Sequence, residues 1–134
     1  MRFMMIVKAS KESEAGILPT ETELAEMARF NEQMVKAGVM LAGEGLQASS
    51  KGARVHYDGA KRTVTDGPFT ETKELIAGFW LIQVKSRAEA IEWAKRVPFK
   101  EDHVELRQVF ELEDFGESPA IEHHQQLRDR MSKS

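Results

Sequence analysis

The stretch Asp66-Gly67-Pro68-Phe69-Thr70-Glu71-Thr72-Lys73-Glu74, followed directly by the apolar run Leu75 to Val84, decides how this chain is read. Asp-Gly and Gly-Pro punctuate a backbone, because glycine tolerates positive φ and proline fixes its own φ. The polar cluster is therefore expected on a rigid turn at the mouth of a buried strand. Loops held by such scaffolds are where binding residues collect. Within the strand, read as Gly78 to Val84, the run Phe79-Trp80-Leu81-Ile82 puts apolar side chains on both faces.

Working outward, Arg2 to Ala9 has the same two-sided character, with Phe3, Met5 and Val7 on one face and Met4 and Ile6 on the other. Lys11 to Leu18 reads as a polar loop. Thr20 with Glu23 makes a capping box after Pro19, and the helix it opens runs to about Ala37, where Gly38 stops it. Its apolar stripe is read as Leu24, Met27, Ala28, Met34 and Val35. Val39 to Leu46 is the second strand. Arg54 to Tyr57 and Arg62 to Thr65 flank Asp58-Gly59-Ala60, a hairpin signal. Ser86 with Glu89 caps a second helix built on Ala90, Ile91, Trp93, Ala94 and Val97, and Pro98 limits it. Val104 to Glu111 alternates as a last strand.

The order strand, helix, strand, hairpin, strand, helix, strand predicts an α+β fold, a ferredoxin-like split βαβ with an inserted β-hairpin. Two helices cover only one face of such a sheet. The other face, apolar on two long strands, calls for a second copy of the same sheet, so a homodimer is expected. The α+β domain is placed at 1–113. Residues 114–134 form a charged C-terminal tail, with a thin apolar stripe that predicts at most a short helix from Ile121 to Met131.

Composition narrows the function. The 134 residues are 41% hydrophobic and 31% charged, as in an ordinary globular domain. With no cysteine, disulfides and thiolate chemistry are excluded. The longest apolar runs fall far short of the roughly 20 residues of a membrane helix, and Phe3 to Val7 is too short for a signal sequence. A cytoplasmic protein is expected. A net charge of −3 with interspersed signs gives no basic stripe for nucleic acid and no basic amphipathic helix for membrane.

Several residues could carry chemistry. Asn31 falls near the first helix's apolar stripe, either bonded to neighbouring backbone or presented to a ligand. Glu44 stands between Gly43 and Gly45, either solvated at a strand end or acting as a general base if the fold buries it in part. Asp66 is a turn residue accepting backbone N–H groups, or a ligand contact. Glu71, Lys73 and Glu74 are a solvated charge run, or a cluster in which the lysine orients an anion and Glu71 serves as a second candidate base. Arg107 and Glu105 share the polar side of the last strand, where the arginine could grip a carboxylate or phosphate, or instead pair with Glu105 or make a dimer contact. Asn31, Glu44 and Arg107 are expected to meet in one pocket only if it lies at the sheet's edge or open end. The four histidines do not cluster: His123 and His124 are adjacent, and His103 stands beside Asp102. No metal site, dinucleotide fingerprint, P-loop or nucleophile elbow is read, and no cofactor is expected.

Asp66-Gly67-Pro68-Phe69 resembles the motif that names the DGPF branch of the YCII-related proteins, and Phe30-Asn31-Glu32 and Gly43-Glu44-Gly45-Leu46 also resemble that family's pattern. The resemblance spans about Arg2 to Glu111. It implies a dimeric α/β barrel with a pocket for a small molecule. Taken with the carboxylates, it suggests a cofactor-free enzyme of the proton-transfer type, an isomerase or lyase. Alternatively, it implies a non-catalytic regulatory or sensing module associated with an alternative sigma factor. The wider family is described with a His–Asp pair in its pocket. This chain has no histidine in its first strand, the loop after it or the first helix, so any catalysis would fall to carboxylates.

Overall fold

Each helix starts where a short hydroxyl side chain can take up an otherwise unpaired backbone N–H. Thr20 Oγ1 accepts from Glu23 N at 3.2 Å while Thr20 N donates back to Glu23 Oε1 at 3.0 Å, the expected capping box. The Ser86 and Ser118 hydroxyls likewise accept from the backbone N–H three residues on. At Ser86 the box is not reciprocal, because Glu89 Oε2 accepts from Lys85 N instead. Ser10 and Ser13 form a further reciprocal box, so part of the expected Lys11–Leu18 loop is one turn of helix.

In the computed structural model, which describes residues 1–133, the elements run β1 Arg2–Lys8, α1 Lys11–Glu14, α2 Glu21–Lys36, β2 Met40–Gly45, β3 Ala53–Asp58, β4 Lys61–Asp66, β5 Ile76–Gln83, α3 Arg87–Lys95, β6 Val104–Gln108 and α4 Pro119–Ser132. The main sheet has the order β2-β5-β1-β6, with every neighbouring pair antiparallel. This is the strand order of a ferredoxin-like fold, with α2 and α3 as its crossovers. β3 and β4 form a separate two-stranded sheet whose residues are all exposed, turning at Gly59, where φ is +59°.

The core lies between one face of the sheet and the helices α2 and α3. Phe3, Met5, Trp80 and Ile82 from the sheet meet Phe30, Met34, Ala90 and Trp93 from the helices. Phe30 sets the rotation of α2: its ring lies edge-on between Trp80 at 5.4 Å and Trp93 at 6.4 Å. The buried stripe is therefore Met27, Phe30 and Met34, while Val35 is exposed, contrary to the stripe read from sequence. Large aromatics on two other elements chose the helix phase.

Burial along β1 and β5 alternates rather than being equal on both sides. Met4, Ile6, Phe79 and Leu81, on the face away from the helices, are only half-buried. That face carries no α2 or α3, and α4 packs chiefly on the short helical turn before it. No helix among the described residues is long and apolar enough to cross a membrane.

Candidate functional site

The sheet floor is bare at one end. Gly45 and Gly78 are register partners facing the helix side. A side chain at Gly78 would come within 2.8 Å of the Glu44 carbonyl oxygen, so the two strands close in there only because Gly78 lacks one. Gly45 has nothing within 4 Å on that side. One step along, a Cβ at Gly43 would strike the Trp80 ring at 2.8 Å. The glycines of β2 thus let the indole lie flat over the strand and leave a void beside it.

That void is a cavity of about 400 Å³ bounded by β1, α2, β2 and β5, within the range of small-molecule sites. Its walls include Val7, Leu24, Met27 and Trp80, with Phe99 at its rim. Phe99 is 41% exposed and its ring lies 6.3 Å from that of Trp80. The polar side chains reaching it from the helices are Asn31 and Ser13. Trp80 Nε1 donates to Asn31 Oδ1 at 2.9 Å. An indole N–H can only donate, so the carbonyl oxygen of Asn31 is fixed toward Trp80 and its NH2 is left over. The NH2 group has no protein partner among the described residues. Asn31 is thus bonded to a side chain rather than to backbone, with two donors free at the cavity.

Glu44 also lines the cavity, but through its backbone. Gly43 pairs with Trp80 on the helix side, so the next residue, Glu44, pairs with Phe79 and sends its side chain to the opposite face. Glu44 is exposed there, so the partial burial expected of a general base is not found. Arg107 shares that face, since Arg107 pairs with Met4 and Met4 with Leu81. It lies on the far edge strand, three strand spacings or about 14 Å from β2. Within one chain, therefore, Asn31 and Glu44 border one cavity and Arg107 does not join them. Arg107 is mostly exposed and makes one long contact, 3.4 Å, with Glu105.

The turn motif is built differently from the expectation. Asp66 ends β4 opposite Ala53 and is exposed, with no hydrogen bond to its side chain among the described residues. The Gly67–Pro68 bond is cis. Glu71, Lys73 and Glu74 lie exposed on and beside the short helical turn Thr72–Glu74 and do not border the cavity. What holds the motif is Ser49. Phe69 N donates to Ser49 Oγ at 3.0 Å, Ser49 Oγ in turn donates to Glu14 Oε1, and Ser49 N donates to Glu14 Oε2 at 2.9 Å. Gly67 packs directly on the Ser49 carbonyl, and Gly67 N donates to Gly52 O at 3.0 Å. Arg54 stacks on the Phe69 ring at 3.8 Å, tying the hairpin to the same turn. Sequence reading missed Glu14 and Ser49. Their one legible signal was the Ser-Lys-Glu-Ser-Glu run after β1, which reads equally well as loop.

The hydrogen bonds from the Ser49 side chain and backbone hold the Glu14 carboxyl below the usual carboxylate range. The ionised form is the one bonded in the folded chain. Its contribution is therefore present above the unfolded carboxylate range and lost as pH falls through the lowered folded value. Glu14→Gln is expected to be less stable than the parent at pH 7. The gap in melting temperature should close as pH falls below about 4. A gap that stays constant with pH would show that the charge on Glu14 does not anchor the turn.

A second groove, of about 420 Å³, runs between α3 and β6. His103 Nδ1 and Asp102 Oδ1 are 2.8 Å apart on its exposed rim, and Asp102 has φ of +63°. Among the described residues, no group of three or more His, Asp or Glu side chains is placed to hold a metal ion.

With this geometry in place, comparison with known proteins is direct. Residues 1–113 match the YCII-related domain. The chain belongs to the YCII-related family. An uncharacterized protein of Rhizobium meliloti (strain 1021) is 31% identical over 75 residues, which is 56% of this chain. That match spans only 60% of the relative's length. Among solved structures, 5-chloro-2-hydroxyhydroquinone dehydrochlorinase from Burkholderia phenoliruptrix, bound to 2,5-dihydroxybenzoquinone, aligns over 82% of this chain and 94% of its own. The TM-score is 0.43 and the sequence identity 14%.

Proposed function

We propose that this YCII-related chain is a small-molecule-binding protein of the DGPF branch. Its ligand sits beside Trp80, in the cavity floored by Gly45 and Gly78. The observation that carries this is the Asn31 amide. The indole of Trp80 fixes its orientation and leaves its NH2 without a protein partner, on a residue that lines an apolar, ligand-sized void. Such a site suits a flat, mostly apolar molecule with one oxygen acceptor, a carbonyl, carboxylate or phenolate. Proton-transfer chemistry draws less support, because the Glu44 carboxylate leaves on the other face and Glu71 does not border the cavity. Binding without catalysis, as in a sensing module, fits the geometry better. No observation on the chain favours a sigma factor as its partner.

The working unit is proposed to be a homodimer closed through the open sheet face into an α/β barrel. Met4, Ile6, Phe79 and Leu81 supply a half-buried apolar centre on the face away from α2 and α3.

The binding claim is tested at Gly45. Its helix-side space is empty, so Gly45→Leu should plug the cavity while leaving the fold intact. A thermal-shift screen of aromatic acids and quinones should give hits with the parent. Those hits should vanish with Gly45→Leu and weaken about tenfold with Asn31→Ala, the loss of one good hydrogen bond. Hits that persist unchanged in Gly45→Leu would place the ligand elsewhere.

A further inference from the structure

One row of the sheet, Gly45, Gly78, Val7 and Val104, crosses all four strands on the helix side. It is three strand spacings long, or about 14 Å. The first three residues floor the cavity beside Trp80, and Val104 lines the groove between α3 and β6. The two voids therefore share one floor. Among the described residues, Phe99 alone lines both, so it is the wall between them.

That wall is lightly held. Phe99 is 41% exposed, and its ring meets Trp80 at a tilt of 42° rather than being packed into the core. It sits in the loop that joins α3 to β6. Phe99 N donates to Val97 O at 2.8 Å, and no other backbone bond outside the helices and strands holds Pro98 to His103 among the described residues. The loop also reaches the start of α2. The Glu23 carboxyl there is held below the usual carboxylate range by its hydrogen bonds with Thr20 and, more weakly, by the Lys100 ammonium.

We infer that Phe99 is a movable partition and that the two voids form one site for an elongated ligand. A flat head with an oxygen acceptor lies against Trp80 and Asn31. An apolar arm, a second ring or a short alkyl chain, runs past Phe99 over Val104 and Leu106. The groove is apolar at Ile91, Ala94, Val104 and Leu106, and the charges at its rim, Lys95, Lys100, Glu101 and Asp102, balance in sign. It therefore selects an uncharged arm. This inference rests on the Trp80 site proposed above and adds the ligand's length and the residue that controls it.

The test compares benzoate with 4-butylbenzoate, which share a head and differ in the arm. The parent should bind the longer acid at least about tenfold more tightly, since burying even two of its chain carbons accounts for that. Phe99→Ala should move the two affinities in opposite directions, each by about threefold. Benzoate loses a wall, while 4-butylbenzoate no longer has to displace one. Ala94→Phe, which fills the groove, should bring the two acids within about threefold of each other. Equal affinities in the parent, or a loss for both acids in Phe99→Ala, would overturn the partition. The Trp80 indole N–H signal separates the two claims. If both acids move it and the longer one gains nothing, the partition alone is wrong. If neither acid moves it, the Trp80 site fails and the partition with it.

Discussion

Gly67→Val is expected to destabilise the protein by about 3 kcal/mol, near the upper end for overpacking a tight site. For a chain of this size that is a fall of about 10 °C in melting temperature. The cause is contact. A Cβ built at Gly67 falls 1.8 Å from the Ser49 carbonyl oxygen and 2.7 Å from its carbon. Backbone, not a flexible side-chain tip, occupies the space, so the turn must move away from Ser49. That movement pulls Phe69 N from Ser49 Oγ and loosens the Glu14 anchor. Because the clash begins at the first side-chain carbon, Gly67→Ala should do most of the same damage. Glu71→Ala, at an exposed position, should stay within about 0.5 kcal/mol. Equal melting temperatures for Gly67→Ala and Glu71→Ala would refute the close-packing account.

Trp80→Ala should cost about 3–5 kcal/mol, the usual range for removing a large aromatic from a core. Trp80 is 5% exposed and touches each part of the structure that matters to the site. Its ring packs edge-on against Phe30, lies near Phe99, covers Gly43 and holds Asn31 in one orientation. Removing it leaves a cavity beside Met40 and Phe30 and frees the Asn31 amide to rotate. Ligand binding should be lost at temperatures where the variant remains folded. A loss below about 1.5 kcal/mol, half the low end of that range, would show that the ring does not organise the core.

The fold was largely legible, because it depends on local signals. Two N-cap residues, Thr20 and Ser86, and the Asp58-Gly59-Ala60 turn set the order of elements before any packing is considered. The ferredoxin-like arrangement follows from that order and from the need to bury one face of each element. What failed was phase. The α2 stripe was drawn through Leu24 and Val35, whereas Phe30 faces inward because Trp80 and Trp93 await it from elements about 50 and 60 residues away. Sequence periodicity cannot weigh that contact.

The candidate site was legible in part for a similar reason. Asn31 and the Gly43–Gly45 stretch were singled out, and the structure places both at the cavity. Which way Glu44 points depends on a one-residue register, and a shift of one moves a side chain to the other face. The role of Gly67 was assigned to backbone freedom, yet its φ is not in the left-handed region and the need is space. Glu14 and Ser49 act over 35 residues of separation, with no pattern in sequence to join them.

The claim that Trp80 and Asn31 form one ligand site is tested most directly on the indole N–H signals of nitrogen-15-labelled protein. The chain has two tryptophans, and only Trp80 borders the cavity, so Trp93 is an internal reference. Titration with an aromatic carboxylate or quinone found in the thermal-shift screen should move the Trp80 indole signal in a saturable way. The Trp93 signal should stay in place, and Gly45→Leu should abolish the shift. A ligand that binds while leaving the Trp80 indole unmoved, or that shifts both tryptophans equally, would contradict the account.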